Sequence, residues 1–227
     1  MAYLQINIIE TGSNGNCFLF NQKLMIDVGV PFSHLAKVDI SKLEYILLTH
    51  KHGDHFKEST IRAIHIKNPK IIFVVAPFLF KKLVDMGMPL SNITVVVENE
   101  VSILGEFIIS PVKLFHDVHN IGYRIMYKKH KHIHITDTNT VEHIRAYRYD
   151  TATIEANHCP VEAQKIIDNS SKFSHLVKAL KYHLSVNKMV DFCNKNEIKA
   201  VYPIHIGGST KTEVMKYIKE NIKSEVR

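Results

Sequence analysis

The stretch Thr49-His50-Lys51-His52-Gly53-Asp54-His55 decides how this chain is interpreted. It follows the apolar run 45–48, which predicts a β-strand, so three histidines and one aspartate fall on a loop at the carboxyl end of that strand. Imidazole nitrogens and carboxylate oxygens are the ligands that suit Zn²⁺ and similar first-row ions. The first two histidines can face one ion, while the aspartate and the last histidine reach a second. The stretch therefore predicts a two-ion centre, in which cations roughly 3.5–4 Å apart hold the attacking and leaving oxygens of a displacement.

Composition places the chain among ordinary globular proteins. Its 227 residues are 45% apolar and 22% charged, which excludes disordered and collagen-like classes, and we expect a single domain over 1–227. The net charge of +7 favours anionic partners, although 24 of the 29 basic residues are Lys, a pattern equally typical of a solvated surface. Three widely spaced cysteines, no visible leader and no apolar run of about 20 residues predict a cytoplasmic protein without membrane contact.

The order of predicted elements indicates the fold class. Two successive blocks of short apolar strands are each followed by helices, which predicts two sheets packed face to face with helices outside, a four-layer αββα sandwich of the α+β class. The expected helices span 57–67, 78–86, 174–183, 187–195 and 211–222. The segment 128–132, Lys-Lys-His-Lys-His, lies between two predicted strands and is expected to be an exposed hairpin turn.

The H-x-H-x-D-H pattern at His50, His52, Asp54 and His55 resembles the signature of the metallo-β-lactamase superfamily. The resemblance covers the whole chain and implies three further ligands near strand ends: a third histidine, a bridging aspartate and a last histidine. They match His116, Asp137 and His205, with His119 as a rival for the third histidine. One of two divalent ions, Zn or Mn, would then take His50, His52 and His116. The other would take Asp54, His55 and His205, with Asp137 between them.

Three other segments resemble the WalJ/YycJ-like nuclease branch and, more distantly, RNase Z. They are Gly12-Ser13-Asn14-Gly15-Asn16, Glu155-Ala156-Asn157-His158 and His183-Leu184-Ser185. The resemblance implies that Asn16, Asn157 and Ser185 bind substrate. It also implies catalytic roles for Asp54, His158 and His183, either imidazole being able to protonate a leaving alkoxide.

These observations predict a phosphodiesterase that acts on nucleic acid, in the manner of an exonuclease, or on nucleotides. One alternative is a small cyclic-nucleotide phosphodiesterase of the kind that some phages encode against host nucleotide signalling. A second is a hydrolase of carboxyl esters, a lactone or a thioester, with the same metal site. The choice between polymer and cyclic nucleotide, and between DNA and RNA, stays open, and a homodimer is a further expectation.

Overall fold

The computed structural model describes residues 3–169 and 174–227, and the chain divides into two compact units, Met1–Pro111 and Val112–Arg227. The described residues contain two mixed sheets and six α-helices, so the predicted α+β class is confirmed. In the described part of the chain, no helix has the length and apolar character needed to cross a membrane.

The first unit is built on a six-stranded sheet in the order β1-β2-β3-β4-β5-β6. The strands are β1 (Ile6–Glu10), β2 (Cys17–Phe20), β3 (Leu24–Ile26), β4 (Tyr45–Leu47), β5 (Ile72–Val75) and β6 (Ile93–Val95). The first three pair antiparallel, and β3 to β6 pair parallel, with helices α1 (Glu58–Lys67) and α2 (Pro77–Asp85) as the later crossovers. Parallel strands are usually covered on both faces, which explains why the sequences of β3 to β6 are short continuous apolar runs.

A hairpin of β7 (Ser102–Leu104) and β8 (Phe107–Phe115) follows, and β8 runs across the boundary into the second unit. The other strands of that unit are β9 (His119–Tyr127), β10 (His130–Ile135), β11 (Thr151–Glu155), β12 (Ala200–Ile204) and β13 (Glu225–Val226). Their order in the sheet is β13-β12-β11-β10-β9-β8, and β10 to β13 are parallel. The carboxyl ends of β10, β11 and β12 therefore meet at one edge, where ligands of open α/β sheets bind.

Four helices belong to the second unit: α3 (Pro160–Asp168), α4 (Ser174–Tyr182), α5 (Val186–Lys195) and α6 (Lys211–Asn221). The first was not predicted, although Pro160 opens it at a position where the missing N–H of proline costs nothing. The expectation of an exposed turn over 128–132 was wrong in part. Strand β10 begins at His130, and His132 has no exposed surface.

Candidate metal centre

Four of the predicted ligands lie in the first unit, on the loop between β4 and α1. His50 and His55 are fully buried, and His52 and Asp54 are half-buried. The Nε2 atom of His50 is 3.2 Å from Nδ1 of His52, and the rings of His50 and His55 have centroids 4.2 Å apart. Asp54 Oδ2 lies 3.6 Å from Nε2 of His55. The loop thus gathers three imidazoles and a carboxylate.

The backbone of the opening strands holds this loop in place. The amide of Asn16 donates to the carbonyl of Asp54 at 2.7 Å, and the amide of Val28 donates to the carbonyl of His55 at 2.9 Å. Gly29 allows this approach, since a Cβ there would lie 1.7 Å from the Asp54 carbonyl oxygen. Any side chain at position 29 would therefore push the ligand loop away.

Asp27 orients His55 from behind. Its Oδ2 accepts a hydrogen bond of 2.6 Å from Nδ1 of His55, and its Oδ1 accepts from the backbone N–H of Thr49 at 2.8 Å. A carboxylate on Nδ1 fixes the tautomer and makes Nε2 the ligating atom. Sequence reasoning missed Asp27, whose only signal was an acidic residue ending the strand pattern Met25-Ile26-Asp27.

Asn16, predicted to bind substrate, lies beside the same ring. It is fully buried, its Nδ2 lies 2.8 Å from Nε2 of His55, and it donates to the carbonyl of Gly12 at 3.0 Å. This geometry gives Asn16 an orienting task next to a predicted ligand. Substrate binding by Asn16 stays a prediction.

The second unit holds the other three predicted ligands, each just beyond a strand end. His116 follows β8, Asp137 follows β10 and His205 follows β12. The two oxygens of Asp137 face different imidazoles: Oδ1 is 2.9 Å from Nδ1 of His205, and Oδ2 is 3.6 Å from Nε2 of His116. The rival His119 is exposed at the start of β9. Within this unit Asp137 therefore lies between two of the predicted ligands, and its bridging role stays a prediction.

Glu155, at the end of β11, is the central acceptor of the second unit. It is fully buried, and its Oε1 accepts from Nδ1 of His183 at 2.6 Å and from Nδ1 of His205 at 2.9 Å. Its Oε2 accepts from the backbone amides of Thr138 and Leu184 at 3.0 and 3.1 Å. Burial alone would raise the pKa of Glu155, but the two imidazoles outweigh burial and lower it to about 2. Glu155 is therefore an anion at neutral pH.

The Glu155 carboxylate in turn changes the basicity of His183. Burial lowers the pKa of His183, whereas the charge and hydrogen bond of Glu155 raise it, and the net direction is upward. One ligand atom from each of Asp137, Glu155, His183 and His205 lies within 4.8 Å of the others. Sequence reasoning placed Glu155 beside the site only through a resemblance and gave it no task.

His158, Asn157 and Ser185 lie against the same edge. Asn157 Nδ2 donates to the carbonyl of His205 at 3.0 Å, and Ser185 caps α5 by accepting from the amide of Lys188. His158 is 3% exposed, and its Nδ1 has no hydrogen-bond partner among the described residues. Burial lowers the pKa of His158 to about 4, so this ring is neutral at pH 7.

The donor set fits divalent cations. Each unit presents imidazoles and a carboxylate, and His55 and His205 each have Nδ1 held by a carboxylate, an arrangement typical of metal-ligating histidines. Such a mixed set accepts Zn²⁺, Mn²⁺ or Fe²⁺.

Comparisons with known proteins identify the family and the fold. The family described as "Beta-lactamase superfamily domain" matches residues 25–206. No curated protein matches the chain significantly in sequence. Among solved structures, the metallo-β-lactamase fold protein YhfI from Bacillus subtilis is similar with a TM-score of 0.78 at 14% identity, over 98% of this chain and 94% of that one.

Two further structures are similar. Human tRNase Z, short form, has a TM-score of 0.63 at 15% identity, over 89% of this chain and 93% of that one. A diphosphatase from the PhnP family has a TM-score of 0.70 at 15% identity, over 96% and 92%. At these identities the likeness establishes the fold alone, and it confirms the predicted metallo-β-lactamase fold.

Proposed function

The chain belongs to the β-lactamase superfamily, and on that premise we propose that it is a metal-dependent hydrolase of phosphodiester bonds in nucleic acid or nucleotides. The observation that carries the proposal is the Glu155–His183 pair next to Asp137 and His205. A proton donor beside a ligand cluster suits a leaving group that departs as an alkoxide, as the leaving group of a phosphodiester does. A tRNase and a diphosphatase, both named for phosphate-containing substrates, share the fold, which supports a phosphate-containing substrate here.

The proposed metal ligands are the seven residues that the family signature implies. His50, His52 and His116 would hold one divalent ion, and Asp54, His55 and His205 the other, with Asp137 as the shared ligand. When bound there, two such ions supply a water of lowered pKa and neutralise the non-bridging phosphate oxygens. Zn and Mn are the proposed metals. Asp54 is proposed to act as a catalytic carboxylate as well as a ligand.

His183 is the proposed general acid. Its Nδ1 is held by Glu155, so the ring is fixed in orientation and Nε2 is the nitrogen that carries the proton to the departing oxygen. His158 is the weaker candidate, because a ring that is neutral at pH 7 has no additional proton to give. Asn157 and Ser185 are proposed to face substrate at the same edge.

A leaving-group comparison tests the role of His183. In the Mn-loaded His183→Ala variant, kcat for a dinucleotide should fall by roughly 10²–10⁴-fold. The loss on thymidine 5′-(p-nitrophenyl phosphate) should be far smaller, because p-nitrophenolate leaves without a proton. His158→Gln is the matched control and should affect both substrates alike. Equal losses on both substrates in His183→Ala would contradict the assignment.

A substrate panel tests the function itself. Zn- and Mn-loaded protein should hydrolyse linear DNA, RNA or a cyclic mononucleotide, and Asp54→Ala should be inactive while remaining folded. Turnover of a lactone or thioester alone would contradict the proposal and favour a carboxyl-ester hydrolase.

Salt separates the two kinds of phosphodiester substrate within the panel. Affinity for a polymer held through many phosphates falls steeply as salt rises, whereas affinity for a cyclic mononucleotide does not. The dependence of KM on salt therefore distinguishes the exonuclease-like hypothesis from the cyclic-nucleotide alternative.

A further inference from the structure

Two aromatic rings of the second unit share a pattern at the candidate centre. Phe115 immediately precedes His116, and Tyr182 immediately precedes His183. The ammonium of Lys113 lies 5.1 Å from the centroid of the Phe115 ring, and that of Lys181 lies 4.9 Å from the centroid of the Tyr182 ring. Each ring thus contacts a lysine ammonium and belongs to the residue that precedes a histidine of the proposed reaction centre in the chain.

Phe115 is presented on a fixed backbone. Its N–H donates to Oγ1 of Thr138 at 3.0 Å, and its carbonyl accepts from the N–H of Asn139 at 3.0 Å. Both partners follow Asp137 directly in the chain. Phe115 as a whole residue is 41% exposed, and the ring of His143 lies at 79° to its ring with centroids 5.1 Å apart. A rigidly held, exposed aromatic ring loses little conformational entropy when a ligand stacks on it.

The same hydrogen bonds connect Phe115 to the second ring. Nδ2 of Asn139 donates to the carbonyl of Lys181 at 3.2 Å, and the carbonyl of Tyr182 accepts from Nδ1 of His116 at 3.2 Å. The Tyr182 and His116 rings are perpendicular, with centroids 6.2 Å apart. The Tyr182 ring therefore lies beside the His116 ring, and Phe115 is the chain neighbour of His116 at the end of β8.

Resting on the proposed function, we propose that Phe115 is the stacking platform for a nucleobase, with Tyr182 beside it and Lys113 and Lys181 facing the sugar-phosphate. The substrate is then nucleoside-containing, and the enzyme selects it over base-free phosphodiesters. Aromatic rings interleaved with cations are the surface that single-stranded nucleic acids and nucleotides use, because every base has a face that can stack.

The free energy of stacking favours a base over the lysine ammonium that contacts the Phe115 ring. Stacking of one base on an aromatic side chain is worth a factor of roughly 5 to 150 in affinity. An exposed cation–π contact is worth a factor of only about 2 to 5. An arriving base can therefore displace the Lys113 ammonium from the ring and leave it free to meet a phosphate.

Binding of 2-aminopurine riboside 5′-monophosphate to the metal-free, full-length protein tests the platform directly. Stacking quenches the fluorescence of this base, and the chain has no tryptophan to interfere. Quenching with saturable binding is expected in the wild type and in Phe115→Tyr, which keeps the ring. Phe115→Leu should weaken binding by about 5- to 150-fold. Absence of quenching in the wild type would overturn the proposal.

A matched control exists in the same unit. Tyr147 is 54% exposed and has the guanidinium carbon of Arg148 5.0 Å from its ring centroid, but it adjoins no predicted site residue. Tyr147→Leu should bind the probe as the wild type does. An equal loss in Tyr147→Leu and Phe115→Leu would show unspecific adsorption and overturn the proposal. Should Phe115→Leu fail to fold, Tyr182→Leu replaces it: weaker probe binding than in Tyr147→Leu is expected, and an equal loss in both variants would overturn the proposal.

Turnover separates this inference from the proposed function. In metal-loaded protein, kcat/KM for thymidine 5′-(p-nitrophenyl phosphate) is divided by kcat/KM for methyl p-nitrophenyl phosphate. That ratio should fall by about 5- to 150-fold in Phe115→Leu. An unchanged ratio with both substrates hydrolysed would overturn the base platform and leave the phosphodiesterase standing. Hydrolysis of neither these esters nor any phosphodiester of the substrate panel, while the nucleotide probe still binds, would overturn the proposed function and support the platform.

Discussion

The buried carboxylate of Glu155 orients two histidines of this site and contributes to the stability of the fold. It accepts four hydrogen bonds, two from imidazoles and two from backbone amides. These bonds offset the free energy that burying a carboxylate away from water would otherwise cost. In Glu155→Gln an amide nitrogen replaces one of the two carboxylate oxygens and cannot accept a hydrogen bond, so the donors that faced that oxygen lose their acceptor. We expect the free energy of unfolding at pH 7 to fall by roughly 1–3 kcal/mol, measured by urea denaturation.

The pH dependence of that loss has a definite sign. The pKa of Glu155 is lowered on folding from its ordinary 4.5 to about 2, so its contribution is complete above pH 4.5 and is lost as the pH falls toward 2. The difference in stability between the wild type and Glu155→Gln should therefore shrink between pH 4.5 and 2. A difference that grows in this range would show that Glu155 is not the ionised acceptor.

The ligands and their supporting carboxylates differ in how far the sequence reveals them. The clustering of His50, His52, Asp54 and His55 could be predicted because their spacing places them on one short loop, and their role as ligands stays a proposal. Asp27 could not, since its bond to His55 joins residues 28 positions apart and exists only once the first unit has folded. Likewise, the choice of His183 over His158 depends on burial and on a carboxylate 28 positions away, neither of which a motif records.

At the scale of elements, strands β10 and β11 are joined by a ladder of side chains as well as by their backbones. Thr151 Oγ1 is bonded to His130 Nε2 at 2.9 Å and to His132 Nδ1 at 2.8 Å. Thr153 Oγ1 is bonded to His132 Nε2 at 3.0 Å and to His134 Nδ1 at 2.7 Å. A neutral imidazole has one donor and one acceptor, which suits this alternation of rings and hydroxyls. Burial lowers the pKa of His132 well below its ordinary value and keeps it neutral.

Thr153→Val tests the ladder. It keeps the β-branched shape but deletes the hydroxyl between two buried histidines, so the free energy of unfolding should fall by roughly 1–3 kcal/mol. Thr153→Ser is the matched control: it keeps the hydroxyl and should recover most of that loss. Equal stabilities of the valine and serine variants in urea denaturation would contradict a stabilising hydroxyl.

The ladder also explains why the expectation of an exposed turn over 128–132 was wrong in part. The alternation His130-Lys131-His132-Ile133-His134 correctly favours a strand with its histidines on one face, but polar residues in alternation usually face solvent. What allows these rings to be buried is a threonine pair about 20 positions later, brought alongside by parallel pairing. Most strand positions could be predicted from local apolar runs, whereas the burial of a polar face depends on the neighbouring strand.

At the scale of the whole molecule, the two units divide the predicted ligand set between them. His50, His52, Asp54 and His55 belong to Met1–Pro111, and His116, Asp137 and His205 belong to Val112–Arg227. The boundary falls inside β8, so no linker separates the units in sequence. The single domain over 1–227 and the homodimer both stay predictions.

Metal titration tests whether the two ligand groups serve the same ions. A metal that binds only the folded protein stabilises it by about 2.7 kcal/mol at a hundredfold excess over Kd, and Tm rises accordingly. If both groups are needed, then His52→Ala in the first unit and Asp137→Ala in the second should each reduce the bound metal and the rise in Tm. His143→Ala, an exposed histidine outside the set, should reduce neither. Each ligand group alone offers three or four donors and could bind metal by itself. If a variant in one unit left the metal affinity and stoichiometry of the other unit's group unchanged, the two groups would be independent sites. That result would contradict the shared pair of cations on which the proposed hydrolysis depends.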